Sequence, residues 1–136
     1  MSESVVNQVV EAVMDLIDDL DLFATTTRGA LTTGPSISVE VGPSGPDAVF
    51  MDKNVYLPLD VTINAKHGNL NTLSDDMNKI HSSLTRRTTY PKDTEQDKWE
   101  IVDITNGTLP QVIGREENDE WMMASSLFVK FYWKGD

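Results

Sequence analysis

The side chains able to do chemistry in this chain are few, and their spacing is uninformative for catalysis. There are two histidines, His67 and His81, and no cysteine. A helical pattern runs between the histidines, and their spacing is not that of a zinc site. Both are read as surface residues. Without cysteine, disulfides and thiolate metal sites are excluded. The acidic pairs Asp18-Asp19 and Asp75-Asp76 lack the alternating oxygen ligands and central glycine of a calcium loop. Gly42 and Gly45 sit among prolines and are followed by no Gly-Lys-Ser/Thr, so they do not form a phosphate cradle. No serine stands in a nucleophile elbow. Two carboxylates can cleave a glycoside, but with 22 acids in the chain such pairs arise by chance. The reading is therefore no enzyme, no catalytic residue, no cofactor and no metal.

Two small groups point to contacts instead. Trp121-Met122-Met123 places three large apolar residues in a row, and they cannot all face one side of a strand. Either they open a fully buried strand, or one of them lies at a subunit contact, where aromatic and methionine side chains are enriched. Arg86-Arg87 is a basic point in an acidic chain. It either solvates the end of a helix, where cations are favoured, or pairs with an acidic patch on a neighbour. Arg28, in a Thr-rich loop, joins them as a candidate. The expected interface residues are Arg28, Arg86, Arg87, Trp121, Met122 and Met123.

The elements that must position these groups are legible from periodicity. Residues 55–66 alternate strictly: Val55, Leu57, Leu59, Val61, Ile63 and Ala65 share one face, and Tyr56, Pro58, Asp60, Thr62, Asn64 and Lys66 the other. That is a long, half-buried strand. Pro58 cannot donate to a ladder, which predicts an edge strand or a bulge. Val6, Val9, Val10, Val13, Ile17 and Leu20 make a helical stripe, capped by Ser2 or Ser4 and ending near Leu20. Residues 24–36 read as a loop with at most a short extended piece. Residues 37–41 read as a strand, 42–47 as a turn cluster and 48–51 as a short strand. Leu70, Leu73, Met77, Ile80 and Leu84 mark a second helix, capped by Asn69 or Asn71. Residues 85–97 are a polar loop and 99–105 a strand. Asn106-Gly107 is a hairpin signal, with 109–113 as the return strand. In the last strand, residues 121–133, Leu127, Val129, Phe131 and Trp133 oppose Ser126, Phe128, Lys130 and Tyr132. The expected fold is a single α+β domain over residues 1–136, ordered α-β-β-β-α-β-β-β. A mixed or mostly antiparallel sheet carries both helices on one face.

With 136 residues, one core is expected. Carboxylates outnumber basic residues two to one, for a net charge of −11. This opposes tight binding to nucleic acid and to an anionic membrane. No basic leader, apolar signal or run of about 20 apolar residues is visible, so synthesis and residence in a cytoplasm are expected.

This succession of acidic helix, polar loop, strand, long alternating strand at 55–66, helix at 70–84 and closing strands ending at Phe131-Tyr132-Trp133 resembles the minor capsid or tail terminator proteins of long-tailed bacteriophages. The likeness spans nearly the whole chain and rests on element order rather than on a motif. It implies a non-enzymatic virion protein that forms a homo-hexameric ring. The ring would cap the head-proximal end of the tail tube and join the tube protein to the head connector. DNA would pass through it without specific binding. Over about 30 Å of lumen a duplex presents about 18 phosphate charges, which acidic residues would repel. The protein would reside in the virion, and in the host cytoplasm during assembly. Two other readings stand beside it: a head-closure or neck adaptor, and an acidic inhibitor that mimics DNA.

Overall fold

A computed structural model of the chain describes residues 5–41, 55–115 and 119–133. It is an α+β fold of two helices and a six-stranded mixed sheet. The expected caps Ser2 and Ser4, the turn at 42–47 and the strand at 48–51 lie outside the described residues. The strand that completes the expected order is instead the short extended piece in the Thr-rich loop, β1 (Thr26–Arg28).

Helix α1 (Val5–Asp18) buries Val9, Val10, Val13, Leu16 and Ile17. Leu16 extends the expected stripe, and Val6 and Leu20 are only half-buried. The helix stops two residues earlier than expected. Asp18 turns its carboxylate outward to accept the Thr26 amide at 2.8 Å and the Thr26 hydroxyl at 3.0 Å, and Asp21 takes a left-handed φ of 61°. An acid that the helix dipole disfavours at this end thus anchors the first strand.

Strand β1 runs parallel to β2 (Ser36–Val41), and β2 runs antiparallel to β3 (Val55–His67). Helix α2 (Leu70–Thr85) follows, and Asn69 caps it by accepting the Thr72 amide at 3.1 Å. The chain then forms β4 (Trp99–Asn106), β5 (Gln111–Arg115) and β6 (Trp121–Trp133). The sheet order is β1-β2-β3-β6-β4, with β5 also on β6. Leu59, Val61, Ile63 and Ala65 of β3 and Met123, Leu127, Val129 and Phe131 of β6 are buried in one core with the apolar stripes of both helices. The two-residue alternation of strands produces this division directly.

Two expectations are corrected. Strand β3 is not an edge: it pairs with β6 over its whole length and with β2 over residues 61–66. Pro58 is exposed beside Lys130 of β6 and, among the described residues, outside the ladder with β2, so no described partner there requires its missing N–H. Second, Asn106-Gly107 does not reverse the chain. Strand β4 pairs with Leu127–Trp133 and β5 with Trp121–Ala124, both antiparallel to β6. They form one interrupted line along the same margin of β6. The jog between them stays attached to β6: Gly107 donates its amide to the Ser126 carbonyl, and Ser126 donates its amide to the Thr108 carbonyl, each at 2.9 Å. Bonds to an existing strand outweigh the local preference for a hairpin.

Candidate functional site

His81 is not a surface residue. It lies on the buried stripe of α2, four residues after Met77 and three before Leu84, and is 4% exposed. Its Nδ1 sits 2.7 Å from Asn106 Oδ1 on β4, and its Nε2 sits 2.8 Å from Ser125 Oγ on β6. With Asn106 accepting, Nδ1 carries the proton and Nε2 accepts from the Ser125 hydroxyl. Burial lowers the imidazole pKa from its ordinary value, opposed by the bond to Asn106.

A hydroxyl–imidazole–amide relay is the geometry that activates serine nucleophiles. Here it is inside out. A cleft of about 500 Å³ is walled by His81 and Asn106 but not by Ser125, which is 3% exposed behind them. A substrate in the cleft would meet the base before the nucleophile. The network acts as a brace that ties α2 to β6 through the buried Ser125 and to β4 through the exposed Asn106, leaving both buried groups satisfied. The sequence carried a signal for it, since position 81 continues the helical stripe of Met77 and Leu84. His67 serves locally: its Nδ1 accepts the Asn69 amide at 2.8 Å, and its ring meets Phe23 edge-on at 4.8 Å.

The expected interface residues fall in different places. Arg28 is exposed at the end of β1 and donates to Asn7 Oδ1 at 3.2 Å. Arg86 is the C-cap residue of α2. Arg87 is also exposed and donates through Nε to the Thr89 carbonyl at 3.0 Å. Trp121 is half-buried, with the Arg115 guanidinium 4.7 Å from its ring centre. Met122 is half-buried on the opposite side of β6, while Met123 is buried in the core. Alternation along β6 forces Met123 inward, which removes it from the surface of the chain.

The structure reveals an apolar surface made of other residues, with Arg28 at the opposite edge of the sheet. Among the described residues, the exposed large apolar side chains are Val102, Leu109, Val112, Ile113 and Phe128, each 41–60% exposed. Four follow the β4–β5 line and the fifth is on the adjacent strand β6. The backbone of the same margin is partly covered. At its start Ile101 donates to the Pro91 carbonyl at 3.0 Å and Asp93 donates to the Trp99 carbonyl at 2.9 Å. The Asp93 carboxylate fixes this cover by accepting the amides of Glu95, Gln96 and Lys98. The Lys98 amide contributes most to holding its carboxyl below the ordinary value. From Val102 to Arg115 no further described strand lies alongside. Bulges at 101–103 and 112–114 keep the open margin from presenting one regular ladder.

Two clefts differ in charge. The cleft beside the margin is lined by Lys79, Ser82, Thr85, Arg86, Asn106 and Leu109, together with Asn78 and His81, and among the described residues by no carboxylate. A second cleft, about 680 Å³, lies between α1 and residues 91–96 and includes Glu11, Asp15, Asp19, Asp93 and Glu95, with Lys92 as the one cation among the described residues that line it. Among the described residues, no group of three or more His, Asp or Glu side chains is placed to hold a metal. No described helix is long and apolar enough to cross a membrane. Comparison with protein-family models and with curated proteins gave no match.

Proposed function

We propose that this chain is a structural subunit of a long-tailed phage particle, a tail terminator. In this reading it assembles as a homo-hexameric ring at the head-proximal end of the tail tube. It stops tube growth and offers its other side to the head connector, while DNA passes through without specific binding. The observation that supports an assembly role is that four of the five exposed large apolar side chains among the described residues, Val102, Leu109, Val112 and Ile113, follow the open β4–β5 line, with Phe128 on the neighbouring strand β6. An open strand margin that carries exposed apolar side chains is a surface suited to pairing with another chain. The phage assignment rests on the likeness in element order.

The test is tube assembly in vitro with purified tube subunits. Added chain should bind tube ends and fix tube length, and Val112→Asp should lose this effect while keeping the fold. Tubes that grow to the same lengths with and without the chain would overturn the reading. A chain that binds connector subunits but never tube ends would be the head-closure adaptor instead.

A further inference from the structure

Resting on the assembly reading, we infer that the cleft at the C-terminal half of α2 receives the acidic face of a second copy of this chain. In a molecule of net charge −11, this cleft presents Lys79 and Arg86 with no carboxylate among the described residues of its wall. Lys79 is held in place, donating to the Leu20 carbonyl at 3.0 Å. Ser82, Thr85 and Asn106 line the same space; the two hydroxyls donate to the Lys79 and His81 carbonyls, and the Asn106 side-chain amide N–H is a donor suited to a carboxylate oxygen. Leu109 lies both in this cleft and on the apolar margin. The cationic cleft therefore continues the apolar surface as a polar rim, the usual arrangement of a protein interface.

The complementary surface is on the same chain. Glu11, Asp15 and Asp19 recur every four residues, are exposed, and line the second cleft with Glu95. Side chains so spaced lie one above another along one face of a helix. The two clefts share no residue. A contact from the basic cleft of one copy to the acidic face of the next is heterologous, the type that generates rings. It also turns the charge that opposes random association into a means of orienting one copy against another.

Charge reversal on the intact chain, read by sedimentation at low salt, tests this. Wild type should self-associate, and Arg86→Glu should weaken association by about tenfold or more, the scale of one lost charge pair. Asp15→Arg reduces the net negative charge by two. On net charge alone it would strengthen association, whereas the paired clefts require it to weaken association similarly. The double variant should recover association close to wild type. Thermal unfolding of each variant checks that the fold is kept. Association unchanged by Arg86→Glu, or strengthened by Asp15→Arg, overturns the paired clefts and leaves the assembly reading standing. A wild-type chain that stays monomeric at every concentration overturns them too. If that chain still caps tubes, the terminator reading survives.

Discussion

At the scale of single residues, His81 and Gly107 bear the sharpest consequences. His81 is held neutral by burial, so its folded pKa lies below the ordinary value of 6.5. The unfolded chain then binds more protons as the pH falls below 6.5, and stability falls with it until the folded value is passed. Above 6.5 this group contributes no slope. The expected result is a urea midpoint that drops as the pH falls below 6.5. In His81→Gln that slope should be reduced, although the variant is less stable at pH 7.5. Gly107 faces a different constraint: a Cβ there would stand 2.5 Å from Ser126 Oγ and 3.2 Å from the Ser126 carbonyl oxygen. The same hydroxyl accepts the Thr108 amide at 2.8 Å. Gly107→Ala must push it aside and should cost about 1–3 kcal/mol by denaturant unfolding. In a Ser126→Gly background the further cost of Gly107→Ala should be smaller, because the two sites are in contact.

At the scale of elements, helix α2 is set by its start and its stripe. Asn69→Ala removes the side-chain acceptor of the Thr72 amide and should lower stability by about 1 kcal/mol, measured as a shift in the urea midpoint at constant slope. The corner of the sheet around Lys66 follows another rule. Lys66 lies on the polar side of the β3 alternation, yet both it and Glu120 are buried, with Nζ and Oε1 3.8 Å apart. Lys66→Ala would leave Glu120 buried beside a lost cation and should cost about 3 kcal/mol or more, well beyond an exposed ion pair. The Arg115–Asp119 pair, at 3.7 Å with both side chains at least half exposed, is such an exposed pair. Its removal should be nearly silent in the same assay.

At the scale of the whole molecule, charge and apolar surface act against each other. A net charge of −11 on 136 residues repels itself in the compact state and opposes indiscriminate association of copies. Raising salt from about 10 mM to 150 mM shortens the screening length from about 30 to 8 Å. The melting temperature should therefore rise with salt in this range. Replacing Val112 and Ile113 together by Thr removes exposed apolar surface. Each replacement should change stability by less than about 0.5 kcal/mol, while self-association measured by light scattering falls.

The sequence by itself determined the two helices, the long alternating strands and the inward set of side chains. Those follow from periodicities of 3.6 and 2 along a local stretch of chain. It also contained the Asn69 cap, an interaction spanning three residues. What it did not determine depends on partners distant in the chain. Whether β3 is central or marginal is decided by β2 and β6 on its two sides. Whether Asn106-Gly107 reverses or jogs is decided by bonds to Ser126. Met123 is core and Met122 half exposed because of the register of β6 against β3. The His81 brace joins residues 25 and 44 positions apart. The open margin has no sequence signature at all. Val102, Leu109, Val112 and Ile113 are ordinary apolar residues in sequence, and only the packing of the sheet leaves them uncovered.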